Sequence, residues 1–404
     1  MTKYFEVTHR DGSARLGKLR FPTPLPTPAI CDDFLHNSGS LWATEKEIPS
    51  SPSIDKLLIL PHRGFPSGTE PVLEDAFFVE PPDIDSPTAA VISPKTASDL
   101  HTDAYILSTT SHPLGPPNKF CNDIIQTKIS IPPDSALYLP GIATPQNLSF
   151  FVYLGIDLFD TTRAVLSGLQ GTYLLPTGDY SLENLDELPC HCPSCSVSID
   201  KFTNEDCATH NINTLKNELS LITQYVRSNR IRDYLEGQVR HDTWLTAAFR
   251  YLDSNSHYLE QRTPVARTEG FIATTEDSLN RIEITRFQER ILTRYKNRFT
   301  HPLVLVPCSA KKPYSKSKSH RFFHQSIRFR GHKVSISSPL GIIPQELELT
   351  YPAQHYDTVV TGNWSSDEIN RISKLLSQYI ESNSYPNIIA HVPSGGYRDI
   401  VELA

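Results

Sequence analysis

The sequence predicts a multidomain α/β protein, on three observations. A chain of 404 residues is too long for one ordinary core, since domains usually hold ~100 to 200 residues. Short apolar runs alternate with amphipathic stretches along it. Between them lies a tight group of cysteines. We expect three parts, at residues 1–185, 186–275 and 276–404. Hydrophobic residues make up 38% and charged residues 21%, and no apolar run reaches the ~18 residues of a membrane span. The N-terminal "MTKYFEVTHRDGSARLG" has no charged segment leading into an apolar one, so a cytoplasmic protein without a secretory signal is expected.

The first ~150 residues are rich in proline ("FPTPLPTP", "VEPPDIDSP", "HPLGPPN"). Proline disfavours long helices, so these read as strands joined by loops. In "ALYLPGIATPQNLSFFVYLGIDLFDTTRAVLSG", a strand, a Pro-Gly turn, a helix from about Pro145 and a second strand ending at Asp160 form a βαβ unit. "NTLKNELSLITQYVRSN" places Leu215, Leu219, Ile222 and Val226 at helical spacing, and "DTWLTAAFRYLD" behaves likewise. A third helix is expected at about 278–298. Beyond it, "HPLVLV", "KVSI", "YDTVV" and "NIIAHV" read as four strands of an open α/β sheet. Each runs into a polar loop: "PCSAKKPYSKSKSH", "SSPLGIIPQELE", "TGNWSSDE" and "PSGGYRD". Ligands in such sheets bind outside the carboxyl ends of the strands, so the four loops are expected to line one cleft.

Seven cysteines without an export signal favour metal ligation or reactive thiols over disulfides. "CHCPSCS" supplies Cys190, Cys192 and Cys195, and His210 follows in "ATHN". Three thiolates and an imidazole satisfy a tetrahedral zinc ion and leave no open position, which makes the expected site structural. His191 and Cys207 are the other candidates for the fourth ligand. Net charge is −7, yet Arg286 to Lys333 holds thirteen Lys or Arg and one acid, Glu289. Either a solvated face or a phosphate-binding surface accounts for that run.

The cysteine pattern with its His-Asn pair, "DGSARLGKL", "TPAI" and "GIDLFD" are together similar to the tRNA-guanine transglycosylases. That resemblance implies a TIM barrel and puts Asp160 at the position of the family's nucleophile. The family's Asp-Ser-Gly-Gly-Phe-Gln type loop is missing; "PHRGFPSG" is nearest and has no acid. The cysteines also arrive about a hundred positions early. A degenerate barrel is expected, with Asp160 more a structural remnant than a nucleophile.

Farther on, Pro307, Cys308, Lys312, Pro313, Tyr314, Ser317 and His320 fit P-C-x3-K-P-Y-x2-S-x2-H, which resembles the signature of the archaeosine synthase family. "SPLGIIPQELELTYPAQHYD" and "TGNW" are similar to its next blocks. The resemblance implies addition of the side-chain amine of free lysine to the nitrile of 7-cyano-7-deazaguanine at position 15 in the D arm of archaeal tRNA. It also implies a radical S-adenosylmethionine enzyme as a partner that cleaves the adduct, whether in a homo- or a hetero-oligomer. The chain stops at Ala404, so the family's C-terminal PUA domain is expected to be absent.

A nitrile is a poor electrophile, and an attacking amine needs deprotonation, orientation and a proton for the nascent imide nitrogen. Cys308, a thiol among lysines, is the candidate nucleophile, with direct attack by lysine as the alternative. Lys312, Tyr314 and His320 are the proton-transfer candidates, and His320 has phosphate contact as its other reading. Ser309 and Ser317 are hydrogen-bond donors to the base, or loop caps. Glu346, Glu348 and Asp357 are the acids for a lysine pocket, and Trp364 either stacks on the base or packs in the core. Two rivals remain open: base exchange through Asp160, and a non-catalytic tRNA-binding subunit.

Overall fold

The computed structural model describes residues 2–36, 48–61, 70–76, 84–94, 101–107, 115–360 and 364–404. Most of "PHRGFPSG", and Thr361, Gly362 and Asn363 of "TGNW", lie outside these. The chain separates into two units, Met1–Arg262 and Thr263–Ala404. Residues 186–275 are not a unit of their own, because the helices after the cysteines pack onto the preceding strands and helices.

The first unit opens with an antiparallel sheet of β1 (Phe5–Asp11), β2 (Ala14–Leu19) and β3 (Leu25–Thr27). There follow β4 (Ala29–Ile30), β5 (Leu35–His36), β6 (Leu57–Ile59), α1 (Pro71–Ala76), β7 (Thr88–Ile92), β8 (Ala104–Leu107), α2 (Pro117–Ser130), β9 (Ala136–Tyr138), α3 (Leu148–Leu154) and β10 (Leu158–Phe159). Seven described strands pair in parallel in the order β4-β10-β9-β8-β7-β6-β5. The two edges, β4 and β5, are separated only by residues 31–34, so the sheet curls until its ends meet on one stretch of chain. That is the reduced barrel the sequence predicts. β7 and β8 are buried throughout, as strands covered on both faces must be.

The β9-α3-β10 unit forms where expected. α2 is a correction to the all-strand reading of the proline-rich region: Pro117 opens that helix, where its missing N–H is no loss. The motif "DGSARLGKL" has a structural explanation. Arg15 forks onto buried Asp157 through two 2.6 Å hydrogen bonds, and Asp11 accepts from the Ile231 amide at 2.9 Å. Burial alone raises the Asp157 carboxyl, but the Arg15 and Lys128 charges outweigh it and hold it below the usual range.

Next come α4 (Thr162–Leu169), the hairpin β11 (Thr172–Leu175) and β12 (Gly178–Ser181), then α5 (Asn204–Arg227), α6 (Ile231–Gln238), α7 (Thr243–Ser254) and α8 (Ser256–Glu260). α5 starts earlier than its apolar spacing indicates, because Thr203 and Asp206 close a capping box at its amino end. α4 and α5 meet at Gly168, where an added Cβ would lie 2.3 Å from the Ala208 backbone.

The second unit contains β13 (Phe271–Ala273), α9 (Ile282–Thr293), β14 (Leu303–Pro307), α10 (Lys318–Ile327), β15 (His332–Ser337), β16 (Gly341–Pro344), β17 (Tyr356–Thr358), α11 (Ser366–Ser382), β18 (Ile388–Ala390) and α12 (Gly396–Leu403). Its sheet runs β16-β15-β14-β18, with β15, β14 and β18 parallel and β16 antiparallel. Here the structure corrects the sequence reading twice. "YDTVV" pairs with β13 in a separate two-stranded sheet. "SSPLGIIPQELE" contains a strand, because Gly341, at φ +82°, turns the chain back so that Ile342 and Ile343 enter the core.

Candidate metal centre and candidate active site

Cys190, Cys192 and Cys195 lie on the loop after β12, and His210 on the second turn of α5. Their ligand atoms all fall within 4.8 Å of one another. His210 Nδ1 is 3.3 Å from Cys195 Sγ and 3.5 Å from Cys192 Sγ. Its Nε2–H donates to the Leu174 carbonyl at 3.1 Å, and its ring stacks on Tyr173 with centroids 3.7 Å apart. A carbonyl behind the distal nitrogen is how a metal-binding histidine is oriented. His210 is fully buried, whereas His191 is exposed and Cys207 turns toward the Thr172 carbonyl. Thus, among the described residues, His210 is the fourth member. The donor set fits one tetrahedral ion, which would tie the cysteine loop to α5.

In the second unit, several segments arrive at the carboxyl ends of the parallel strands. Cys308 follows β14, held by its amide to the Ile336 carbonyl at 3.0 Å. Its Sγ lies 3.0 Å from Tyr397 Oη, which comes from the first turn of α12, and Tyr397 packs on Trp364 with ring centroids 4.6 Å apart. The Lys312 ammonium sits 4.1 Å from the centroid of the Tyr356 ring. Burial holds Lys312 below the usual lysine range, opposed in part by Cys308 and Asp357. Beneath them Tyr314 donates to Ser337 Oγ at 3.0 Å and contacts the Tyr356 hydroxyl, which lies 2.5 Å from that same serine oxygen. Burial raises Tyr314, Tyr356 and Tyr397, so all three hydroxyls keep their protons. A cavity of about 160 Å³ opens beside Trp364, with Ser338, Val359, Glu276 and Glu368 on its wall.

The other expected residues lie elsewhere or bond within the loop. Ser309 Oγ accepts from the Lys311 amide at 3.3 Å, and Ser317 caps α10 by accepting from the His320 amide at 3.2 Å. His320 is fully buried and stacked on Tyr314; its Nε2–H donates to the Pro307 carbonyl at 3.0 Å. Burial, with Lys333 nearby, drives its pKa to about 4. Glu348 is buried too, 3.6 Å from the Lys333 ammonium, and accepts from the Ser315 amide at 3.3 Å. Of the "PQELE" acids, Glu348 thus meets the loop that carries Cys308, and Glu346 does not. Because β16 runs antiparallel, it carries Glu346 to the amino end of β15, where Glu346 meets His332 Nε2 at 3.1 Å and Tyr295 Oη at 2.6 Å. The sequence reading passed over Ser337, Tyr356 and Tyr397. Their signal was a hydroxyl beside each motif loop, in "SSPLG", "HYD" and "GGYRD".

Asp160 ends β10, buried, with its carboxylate accepting from Tyr138 Oη and the Gly141 amide at 2.7 Å and from the Thr162 amide at 2.8 Å.

Comparison with known proteins adds the following. Residues 89–242 match the family described as queuine tRNA-ribosyltransferase, and residues 284–404 match a domain of unknown function, DUF5591. The chain is 51% identical over 402 residues to the archaeosine synthase of Haloferax volcanii, covering 100% of this chain and 68% of that one. It is 37% identical over 439 residues to archaeosine synthase subunit alpha of Methanosarcina acetivorans, covering 100% and 70%. With the tRNA-guanine(15) transglycosylase of Methanobrevibacter smithii it shares 28% over 286 residues, covering 67% and 42%.

Proposed function

The chain belongs to the archaeosine synthase family, and on that premise we propose that it modifies tRNA in archaeosine biosynthesis, joining the side-chain amine of lysine to the nitrile of 7-cyano-7-deazaguanine at position 15. The observation that carries this reading is the 3.0 Å contact between Cys308 and Tyr397 at the carboxyl end of β14, with Lys312 close by.

In this reading the Cys308 sulfur adds to the nitrile carbon, while Tyr397 passes a proton to the nitrile nitrogen and regains one from the thiol. A thioimidate results. Lys312, whose burial favours the neutral amine, takes a proton from the incoming ammonium. The freed amine attacks the thioimidate carbon, the carbon–sulfur bond breaks and the thiolate recovers a proton. The product is an amidine between lysine and the base. Trp364 stacks on the base, and Ser309 donates a hydrogen bond to it. Asp357 and the acidic wall of the cavity beside Trp364 receive the lysine's charges, in place of Glu346. Tyr314, Ser317, His320 and Glu348 hold the loop in shape rather than touching substrate.

Zinc is the metal we assign to Cys190, Cys192, Cys195 and His210, since thiolate-rich tetrahedral sets favour it. With four protein ligands it supplies no reactive water, only a brace. The Methanosarcina relative is named as a subunit. That supports association with a second chain, for which a radical S-adenosylmethionine enzyme acting on the adduct is our assignment.

The test is mass spectrometry of cyano-deazaguanine tRNA after incubation with the protein and each of several amines. Lysine is expected to raise the tRNA mass by one lysine, and Cys308→Ala to slow that gain about 10³-fold or more. No gain with any amine overturns the transferase, and an undiminished rate in Cys308→Ala overturns the covalent step.

A further inference from the structure

We propose that α10 and the turn that ends it form a docking surface for unstacked RNA, with cations for the phosphates and two phenylalanines as platforms for bases. Residues 311–333 contain eight Lys or Arg and no Asp or Glu, in a chain of net charge −7. Six of the eight are exposed: Lys311 and Lys316 in the loop, Lys318 and Arg321 on the helix, and Arg328 and Arg330 after it. Among the described residues none of these six has a carboxylate partner. An ordinary solvated face intersperses charges of both signs, whereas this one is left uncompensated.

The aromatic residues point the same way. Phe322 is 64% exposed and Phe329 87% exposed. Only a narrow stripe of α10 faces the protein, with His320 buried and Phe323 and Ile327 half-buried. Phenylalanines left largely exposed, set among cations without carboxylate partners, match the composition of single-strand binding surfaces, where bases stack on aromatic rings and cations track the backbone. Arg328 adds a second indication. It ends α10 at φ +51°, a conformation glycine would adopt with less strain. An exposed arginine thus occupies a backbone position that glycine suits better, directly before Phe329. The loop carrying Cys308 runs directly into this helix, so a strand bound on α10 lies on the chain segment that presents the thiol.

The inference rests on the tRNA reading above, and its test separates the two. Binding of cyano-deazaguanine tRNA to the full chain is measured by fluorescence anisotropy across a salt series, for wild type, Phe322→Ala with Phe329→Ala, and Arg321→Gln with Arg328→Gln. Thermal melts check that the variants fold. The phenylalanine pair is expected to weaken binding at least tenfold. The arginine pair is expected to lower the slope of log affinity against log salt by about 0.7 for each cation removed. Folded variants with wild-type affinity and salt slope overturn the surface, whatever the mass assay shows. Variants that lose affinity although wild type adds no amine sustain the surface and defeat the transferase. Unchanged tRNA affinity together with lost capture of a second protein overturns RNA as the occupant.

Discussion

Lys312 and His320 belong to one motif and have opposite fates. Lys312 is half-buried above Tyr356, so its proton leaves at lower pH than that of an ordinary lysine. We expect kcat for amine addition to rise with pH through that titration, and Lys312→Met both to remove the rise and to lower kcat about 10²-fold or more at neutral pH. A pH–rate profile of the two proteins checks this. His320 titrates near 4 when folded and near 6.5 when unfolded, so between these values the unfolded chain binds the extra proton. Stability is then fully present above pH 6.5 and declines as pH falls toward 4, by about 3 kcal/mol in all. Urea unfolding at a series of pH values measures it, and His320→Gln is expected to flatten the dependence. The motif marked both residues as important. Burial alone sets them apart, and burial is a property of the surrounding fold that the spacing P-C-x3-K-P-Y-x2-S-x2-H does not encode.

At the scale of elements, the metal site was legible because its ligands are close in sequence and the helix bearing His210 is periodic. Removing the ion is expected to loosen the cysteine loop from α5 and lower Tm by about 10 °C, as is Cys195→Ser. Metal analysis at one ion per chain, with melts before and after chelation, checks this. Amine addition should survive in part, since an ion held by four protein ligands has no open position for substrate. β16 is the opposite case. Its four residues, "GIIP", are shorter than any periodicity can reveal, and their direction depends on the turn at Gly341 and on the register with β15. That one reversal sends Glu346 to the far end of the sheet. Asp357, on a strand that leaves the sheet altogether, becomes the acid nearest Lys312 in effect.

On the scale of the whole chain, a reduced barrel sits in one unit and the Cys308 cluster in the other. The barrel's Asp160 has three donors on its carboxylate, which is a structural occupation. We therefore expect no incorporation of radiolabelled guanine into tRNA, and Asp160→Asn to leave amine addition within a few-fold of wild type while lowering Tm; guanine incorporation that Asp160→Asn abolishes would restore the exchange reading. The sequence by itself determined the α/β class, the cluster of three cysteines and a histidine, the βαβ unit and the loop bearing Cys308, because each is written in local spacing and residue chemistry. The tertiary structure alone decided where the second unit begins, which strands share its sheet, and that Tyr397 rather than Glu346 lies against the thiol. Those outcomes depend on pairing and burial between residues tens of positions apart, whose energies no local pattern records.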